Sequence, residues 1–375
     1  MTLSSSQRAV RETTVAGAPF TTAPPTMKQV ATLAQVSAMT VSRVLRGDTG
    51  VSAQKRERVE AAVRELGYRP NALARTFRHG QGTGTIGLIV TNLANPFYAR
   101  LALGIEAAVA EDGLRVMITN TAGDAVRERE AVRDFSARRV DGVILVPAGA
   151  DQSYLAQELP MGPPVVTVAR PPAGYEADCV LVDDFGGAYA ATGRLLAAGH
   201  RRIGFLGNPP SVYTGSERYR GFCAALHEAG IDPDDALVKR GQEDLTSAET
   251  AATELLALPD PPSALFCTNN RNTLGAYRAL RHHGAQATLA GFDDFDLADV
   301  LSVPVLVVDY DPDEIGRRAA RLLAERLAQP GTQTLPPRRV VVRTSIITHG
   351  LDPGQPTAGP GGRVPPSPGT SARVR

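Results

Sequence analysis

Apolar residues recur at helical spacing in three short stretches between Thr26 and Gly67. The first stretch opens on Thr26-x-x-Gln29, the pattern of a helix-capping box, and its apolar positions share one helical face: Val30, Ala31, Leu33 and Ala34. Ser37 can cap a second helix, Ala38 to Arg46. Ser52 can cap a third, which ends at Gly67. The pattern therefore predicts three helices with a tight turn between the first two.

Beyond Thr85 the pattern changes to short apolar runs that alternate with amphipathic helices. The first set predicts strands at 86–90, 116–119, 143–146 and 165–168, with helices at 98–112 and 127–138. A second set begins after Val182-Asp183 and predicts strands at 203–206, 265–267 and 289–292, with helices at 186–198, 216–229 and 272–283. This alternation is typical of parallel sheets covered by helices on both faces. We therefore predict an all-α head followed by two α/β lobes.

The three predicted helices of the head match the plan of a helix-turn-helix unit, whose second helix enters the DNA major groove. Near the start of that helix, Arg43 can make the bidentate contact to guanine, while Ala38 and Met39 can offer apolar contact to a thymine methyl. Hydroxyl side chains suited to phosphate oxygens are Ser37, Thr40 and Ser42. The alternative interpretation is a small helical bundle whose arginines are merely solvated.

Charge distinguishes the head from the rest of the chain. The 375 residues carry a net charge of +1, so overall composition says nothing about nucleic acid. Residues 26–80, however, contain ten lysines and arginines against four acids, a net +6. Residues 1–25 add +1, which leaves −6 on the remainder. A basic head on an acidic body attracts phosphate at one end only.

Several motifs of the head together resemble the lactose-repressor (LacI/GalR) family of bacterial transcription factors. They are Thr40-Val41-Ser42-Arg43-Val44-Leu45, then Val51-Ser52, then the run from Glu65 to Arg75 that contains Tyr68-Arg69-Pro70-Asn71. The similarity continues to Gly350, and it implies DNA contacts at Thr26 and Asn71 as well. One departure is Gln35, where the family usually has Gly in the turn. A positive φ at Gln35 would cost roughly 1 kcal/mol or less.

In that family the segment after Tyr-x-Pro-Asn is a hinge helix that orders on operator DNA and lies in the minor groove. The resemblance implies that Ala74 contacts the groove and that Phe77 takes the place of the wedging Leu. Phe belongs among the residues that unstack base steps. The simpler interpretation is that Phe77 only anchors the head to the body.

The resemblance also implies a sensor of the periplasmic-binding type, whose two lobes close on a ligand between them. The implied effector contacts are Asn95, Phe97, Tyr98, Arg170, Arg218, Asn269, Asp293 and Tyr310. Each could instead be an ordinary surface or capping residue. Relatives commonly have carboxylates at the positions of Ala169 and Asn270, and the connection 283–288 is short. We therefore hypothesise a less acidic cleft that favours an acidic sugar or tolerates a smaller polyol, although effector binding could also have been lost.

The expected domain boundaries follow from these patterns. Residues 1–25 and 350–375 are expected to be disordered tails, 26–70 the DNA-binding domain, and 71–83 the hinge helix and linker. The sensor is expected over 84–349. Its first lobe takes about 84–182 and 310–329, and its second lobe about 183–308 and 335–349. No apolar stretch near the start is long enough for a signal peptide, which predicts a cytoplasmic protein without a membrane partner.

Several other motifs do not fit the chemistry that they suggest. The glycines of 82–87 spell a dinucleotide fingerprint, but they precede a strand instead of following one. The aspartates of 293–299 lack the spacing of a calcium loop, and His282-His283 are adjacent and thus point to different sides of a helix. The three cysteines are scattered and next to apolar residues, as reduced core thiols are. We therefore predict no metal site and no cofactor.

The sequence thus predicts a homodimeric transcriptional repressor, or a larger assembly, that binds a pseudo-palindromic operator and a small sugar-like effector. It does not determine whether the effector releases or tightens DNA binding. A transport-type sugar-binding module would need an export signal and no basic head. An α/β enzyme would need a nucleophile with its base, a phosphate loop or a metal cluster. Neither rival matches the sequence, so we predict that the protein is not an enzyme.

Overall fold

A computed structural model describes residues 25–45, 47–68, 82–160, 162–296, 298–328 and 336–350. Contacts divide the chain into two units, one ending at Thr83 and one beginning at Gly84. Three predicted DNA contacts, Asn71, Ala74 and Phe77, lie outside the described residues, as do the predicted tails apart from residues 25 and 350 and most of the predicted hinge.

The described part of the first unit contains three helices: α1 (Met27–Leu33), α2 (Ala38–Leu45) and α3 (Ala53–Leu66). The capping box predicted at Thr26 is present, since the Gln29 amide donates to the Thr26 hydroxyl and the Thr26 amide donates to the Gln29 side chain. Ser52 stands at the start of α3 but makes no capping hydrogen bond through its side chain, so that prediction was wrong. Gly67 ends α3 with a φ of 60°, the left-handed conformation expected of a C-terminal glycine.

The core of the first unit comes from the apolar stripes predicted in its helices. Its buried side chains are Val30, Ala31, Ala34, Val41, Val44, Val59, Ala62 and Tyr68. Burial of one stripe from each helix holds the three helices together, because each is too short to be stable in isolation.

The second unit contains two six-stranded sheets, one for each predicted lobe. The first has the order β11-β5-β4-β3-β1-β2 and the second the order β12-β10-β9-β8-β6-β7. The first six strands along the chain are β1 (Thr85–Val90), β2 (Arg115–Asn120), β3 (Gly142–Leu145), β4 (Val165–Val168), β5 (Asp178–Val182) and β6 (Ile203–Gly207). The others are β7 (Val238–Arg240), β8 (Ala264–Cys267), β9 (Thr288–Phe292), β10 (Val305–Asp309), β11 (Arg339–Val342) and β12 (Ser345–His349).

Helices cover both sheets. They are α4 (Pro96–Ala110), α5 (Ala125–Arg138), α6 (Leu155–Glu158), α7 (Asp184–Ala197), α8 (Tyr213–Glu228), α9 (Leu245–Leu256), α10 (Asn270–His283) and α11 (Pro312–Leu327). The strand pairs are parallel except β10 with β12, which is antiparallel. The central parallel strands β3, β4 and β5 are buried on both faces. Within the described residues, no helix is long and apolar enough to span a bilayer.

The chain passes between the lobes three times. It crosses after β5, again after β10, and finally between β11 and β12. The expected second lobe took the whole of 335–349, but β11 pairs in parallel with β5 in the first sheet and only β12 joins the second. Both strands are short and partly exposed, so their apolar pattern alone could not assign them to a sheet.

Asp178 holds the segments that return to the first lobe, α11 and β11, against its sheet. Its side chain is almost fully buried and accepts hydrogen bonds from Arg326 of α11 and from Arg338 just before β11. Burial alone would raise the pKa of Asp178, but these hydrogen bonds outweigh it and lower the pKa to about 2. A charged group at the start of β5 therefore anchors both the helix and the strand that return to this lobe.

Candidate functional site

Helix α2 carries most of the side chains predicted to meet DNA, but Arg43, expected near its start, lies in its last turn because the helix is only eight residues long. The Thr40 amide donates to the Ser37 hydroxyl at 3.1 Å, so Ser37 caps this helix as expected. Met39 is 67% exposed and Ala38 is also exposed, while Thr40, Ser42 and Arg43 are half-buried. Thr26 is exposed at the start of α1. The predicted major-groove contacts thus lie on one short helix of a basic unit.

Arg43, predicted to contact guanine, forms an ion pair within the unit. Its Nε donates to Asp48 Oδ2 at 2.8 Å and its Nη2 lies 3.4 Å from Asp48 Oδ1. This hydrogen bonding raises the pKa of Arg43 above its ordinary value. Arg56 donates to the Asp48 carbonyl at 2.5 Å, and the Gly50 amide donates to the Asp48 side chain at 2.8 Å. Any base contact by Arg43 must therefore compete with, or be oriented by, Asp48.

The backbone of Gln35 has the positive φ that was considered from the sequence. Its φ is 54°, in the left-handed region that favours glycine. Arg58 of α3 donates to the Gln35 carbonyl at 3.0 Å and so helps to hold the turn between α1 and α2. The turn keeps the geometry for which the family usually uses Gly.

Between the two lobes of the second unit lies a cavity of about 570 Å³. Residues of both lobes line it, at the carboxyl ends of the parallel strands, where ligands of open α/β sheets bind. The eight side chains predicted as effector contacts all lie on its wall: Asn95, Phe97, Tyr98, Arg170, Arg218, Asn269, Asp293 and Tyr310. The fold thus brings together residues that are up to 215 positions apart in the chain.

Arg218, on α8, occupies the centre of a buried network although its side chain is charged. Its Nε donates to Asp184 Oδ1 at 2.7 Å, and its Nη1 donates to the Thr268 carbonyl and lies 3.4 Å from Asp293 Oδ1. The guanidinium stacks over the Phe292 ring at 3.6 Å from its centroid. These contacts fix the plane of the guanidinium, so its remaining N–H groups have a defined direction.

Asp293 and Tyr310 follow neighbouring strands and form one donor–acceptor pair. The Tyr310 hydroxyl donates to Asp293 Oδ1 at 2.6 Å. Burial, together with the charge of Asp293, raises the pKa of Tyr310 well above its ordinary value, so the phenol stays protonated and remains a donor. Asp293 has a φ of 68°, an uncommon conformation for a residue with a side chain that is found preferentially at functional sites.

The first-lobe wall combines aromatic rings with one inter-lobe hydrogen bond. Phe97 packs edge-on against Tyr98 and Tyr310, with centroids 4.9 and 6.1 Å apart. Asn95 caps α4 through the Phe97 amide, and its Oδ1 also accepts from Asn270 of the second lobe at 3.1 Å. An aromatic edge beside amide groups suits the apolar face and the hydroxyls of a sugar.

The side chains of Arg170 and Asn269 border the cavity and also make hydrogen bonds within the protein. Arg170 donates to the Pro147 carbonyl at 2.6 Å and follows Ala169, whose φ is 63°. Asn269 caps α10 through its side-chain oxygen and donates from its amide nitrogen to Asn208 at 3.0 Å. The capping alternative considered for Asn269 therefore describes part of its role, while its side chain still borders the cavity.

The sequence did not single out several residues of the site. Asp184 lies behind Arg218, Asn208 holds Asn269, and Arg271 lines the cavity at the start of α10. Asp184 had one available signal, its place directly after Val182-Asp183 where the chain changes lobe, but helix-start aspartates are common. Only the fold brings it to Arg218, which is 34 residues away.

The cavity wall balances opposite charges. Three arginines line it, Arg170, Arg218 and Arg271, against the acids Asp124, Glu243 and Asp293. Helices α4, α5, α8 and α10 also begin at lining residues, so four helix N-termini direct their positive ends at the cavity. Among the described residues, no cluster of His, Cys, Asp and Glu has the arrangement of a metal site. The site is built from hydrogen-bonding groups suited to a polar organic ligand.

Comparison with known proteins matches both units. Residues 26–71 match the model of bacterial regulatory proteins of the lacI family. Residues 83–351 match the model of periplasmic binding proteins and the sugar-binding domain of the LacI family. The second match alone covers more than half of the chain.

Whole-length relatives agree with these matches. The ribose operon repressor of Escherichia coli K12 is 33% identical over 331 residues, covering 87% of this chain and 99% of that protein. The regulator CelR of Thermobifida fusca is 34% identical, covering 87% and 97%. A solved complex of the transcriptional regulator CelR with cellobiose is 32% identical, covers 86% of this chain and 98% of that chain, and has a TM-score of 0.64.

The helix-turn-helix unit, the two-lobed sensor and the whole-length relatives point to the same class of protein. The predicted fold class and family are thereby confirmed. The chain belongs to the LacI family of bacterial regulatory proteins and is a DNA-binding transcriptional regulator.

Proposed function

We propose that this regulator binds a pseudo-palindromic operator as a homodimer and is controlled by a small sugar-like effector held between its lobes. The observation that carries the proposal is the buried Arg218–Asp293–Tyr310 network, which borders a polar cavity at the lobe interface. Two-fold symmetric heads would read matching half-sites. Because DNA is its target, the protein acts in the cytoplasm, by binding and not by catalysis.

The network is suited to vicinal hydroxyls. A guanidinium donates in a fixed fork, and a carboxylate accepts, so Arg218 and Asp293 together can pair with two adjacent hydroxyl groups. The ring of Phe97 offers an apolar surface next to them. Relatives of similar identity carry different ligands in their names, ribose and cellobiose, so relatedness alone does not select between a pentose and a disaccharide.

Arginines of the cavity wall that form no ion pair among the described residues favour an acidic sugar over a neutral one. Arg218 already faces two carboxylates, and Asp124 caps α5 and lies beside Arg127. Arg170 donates from Nη1 to the Pro147 carbonyl, and Arg271 borders the cavity. Ala169 and Asn270 bring no charge where relatives commonly have carboxylates. Arg170 and Arg271 are therefore available to a ligand carboxylate or phosphate.

Control of DNA binding follows from lobe closure. A ligand shifts the protein only by the difference between its affinities for the two lobe arrangements. The Asn270–Asn95 hydrogen bond exists only while the lobes are close, so it belongs to one of those arrangements. Residues 71–83 would carry the change to DNA, with Asn71 and Ala74 at the minor groove and Phe77 as the wedge. An effector that favours the arrangement with separated hinges is an inducer; one that favours the other is a corepressor.

The test is a thermal-shift and calorimetric screen with ribose, cellobiose, galactose, galacturonate and gluconate, repeated with Arg218→Ala. We expect stabilisation by at least one acidic or neutral sugar and its loss in the variant. An Arg218→Ala protein that is folded and binds the same ligand equally well would contradict the site.

The DNA half of the proposal has its own experiment. A chain lacking residues 1–80 should lose operator binding and keep ligand binding. Sedimentation of the full chain with a palindromic site should give two protomers per duplex. Operator binding by the truncated chain, or one protomer per duplex at saturation, would contradict the domain assignment or the dimer.

A further inference from the structure

Asp184 lies behind the cleft, at the start of α7, and its side chain is 2% exposed. One carboxylate oxygen, Oδ1, accepts from Arg218 Nε at 2.7 Å. The other, Oδ2, is buried and has no hydrogen-bond partner among the residues that the structure describes. An unpartnered buried carboxylate oxygen destabilises a fold, so its presence next to a binding site requires an explanation.

The charges around Arg218 do not balance. One guanidinium faces two buried carboxylates, those of Asp184 and Asp293, so the cluster carries a net −1 when both are ionised. The pKa of Asp184 is raised to about 6, because burial and the charges of Asp293 and Glu217 together outweigh the lowering effect of Arg218. Taking up one proton at Asp184 Oδ2 would make the cluster neutral.

We propose that Asp184 is a positioning residue that switches the charge offered by Arg218 to the effector, by gaining or losing a proton at Oδ2. As a carboxylate, Asp184 draws the guanidinium charge away from the cavity. As a neutral carboxyl, it still accepts from Arg218 Nε through Oδ1, so the guanidinium keeps its orientation while more of its charge faces Asp293 and the ligand. The ligand need not touch Asp184 for its affinity to change.

The other ionisable groups near α7 are accounted for. The groups that act electrostatically on this carboxylate are Arg218, Glu217 and Tyr213 of α8, Asp293 after β9 and Tyr310 after β10. Tyr213 and Tyr310 have raised pKa values and stay neutral in the acid range. Of the strands packed on α7, β12 ends in His349, which pairs with Asp294, and β10 ends in Asp309, which faces Asp294 and Arg100. Asp184 is thus the carboxyl of this cluster suited to change charge between pH 5 and 7.

The proposal requires that acid strengthens binding of an anionic ligand. A ligand carboxylate near Arg218 binds more tightly when Asp184 is neutral, so ligand binding is accompanied by uptake of a proton. If the bound ligand raises the pKa of Asp184 by one unit, the affinity rises about tenfold as the pH falls below the free value. A neutral sugar carries no charge to interact with the guanidinium, so its affinity gains less.

The first experiment needs no ligand. The full chain, labelled with ¹⁵N, is titrated from pH 5 to 8 while the Arg218 Nε resonance is followed, assigned by its loss in Arg218→Lys. We expect this resonance to move with a midpoint near pH 6 and to stay fixed in Asp184→Asn, which resembles the neutral carboxyl. A resonance that titrates equally in Asp184→Asn, or that does not titrate in the unchanged protein, would overturn the proposal.

Glu217→Gln is the matched control. Glu217 pairs with Arg220 and does not line the cavity, yet its charge acts on Asp184. The variant should keep the titration and move its midpoint to lower pH. The folding stability should agree: because the folded-state pKa of Asp184 is raised, the unchanged protein loses stability relative to Asp184→Asn as the pH rises from about 4 to 6. An equal stability difference across that range would count against the switch.

A second experiment, which rests on the proposed function, measures ligand binding. It uses galacturonate, whose carboxyl stays ionised above pH 5, with galactose as its neutral counterpart. For that one-unit rise we expect galacturonate affinity to be about sixfold higher at pH 5.5 than at 7.5, and Asp184→Asn to hold the higher affinity at both. A titrating Arg218 resonance without binding of either sugar would contradict their assignment as effectors and leave the switch in place. Binding without pH dependence would reject the switch and keep the effector site.

Discussion

The side-chain amide of Asn270 donates to Oδ1 of Asn95 over 3.1 Å, and this hydrogen bond joins the second lobe to the first at the rim of the cavity. Asn95 Oδ1 already accepts from the Phe97 amide that it caps. This contact between the lobes thus uses an oxygen that also caps α4. The cap holds Asn95 Oδ1 in place whether or not the lobes are closed.

Removing this contact should favour open lobes. Asn270→Ala loses a hydrogen bond of about 0.5–1.5 kcal/mol, so effector affinity should fall by roughly 2- to 12-fold. Asn95→Asp is the matched variant, because an aspartate keeps both the cap and the acceptor, and its affinity should be unchanged or higher. Calorimetry and the radius of gyration from solution scattering check both. Equal affinities of the two variants would contradict the role of this bond in closure.

Arg218→Ala should be severe for stability as well as for binding. Two buried carboxylates lose their common partner, which should lower the free energy of unfolding by about 3–5 kcal/mol. Arg220→Ala provides the control on the same helix, because its exposed pair with Glu217 is expected to contribute less than about 1 kcal/mol. Denaturant unfolding measures both. A loss for Arg218→Ala as small as that for Arg220→Ala would mean that the network is not a buried charge cluster.

Replacing two glycines of neighbouring helices with alanine should change the stability of the protein in opposite directions. A Cβ at Gly221 would collide with the Phe185 carbonyl oxygen of α7, whereas a Cβ at Gly193 meets nothing within 4 Å. Gly221→Ala should therefore destabilise the second lobe by about 1–3 kcal/mol. Gly193→Ala should stabilise it by about 0.5–1 kcal/mol, because alanine favours the helix. Thermal unfolding of both variants tests the close approach of α7 and α8.

The turn of the head should gain stability from a glycine. Gln35 has a φ of 54°, so Gln35→Gly should stabilise the first unit by roughly 1 kcal/mol. Gln35→Ala keeps the strained backbone and should leave the stability almost unchanged. Hydrogen exchange of the α1 and α2 amides measures the effect within this unit. An equal gain from alanine would place the effect in the side chain instead of the backbone.

Asp48 should control how Arg43 reads DNA. If Arg43 contacts guanine, Arg43→Ala costs about 1–3 kcal/mol on the cognate site and relaxes one base position. Asp48→Asn weakens the ion pair and removes a negative charge, so it should raise affinity for all DNA and reduce discrimination at that same position. Binding to a library of single-base operator variants tests both. A loss at Arg43→Ala that is uniform across sequences would make Arg43 a phosphate contact.

The local elements were largely predictable because they depend on neighbouring residues. The capping box at Thr26, the glycine end of α3 and the alternation of strands and helices all follow from patterns within a few positions. Ser52 shows the limit, since a residue that commonly caps a helix makes no such bond here. The short strand β11 shows another limit, because its sheet depends on Asp178 and β5, more than 150 residues away.

The sequence by itself determined the two kinds of unit, the basic charge of the head, and the eight side chains that the family resemblance assigns to the cleft. Only the tertiary structure decided how those side chains are held. It paired Arg43 with Asp48, joined Asn95 to Asn270, and placed Asp184 behind Arg218. The physical reason is that helix and strand patterns arise from local backbone preferences. The charge state and direction of a buried side chain depend on groups that meet it only after folding.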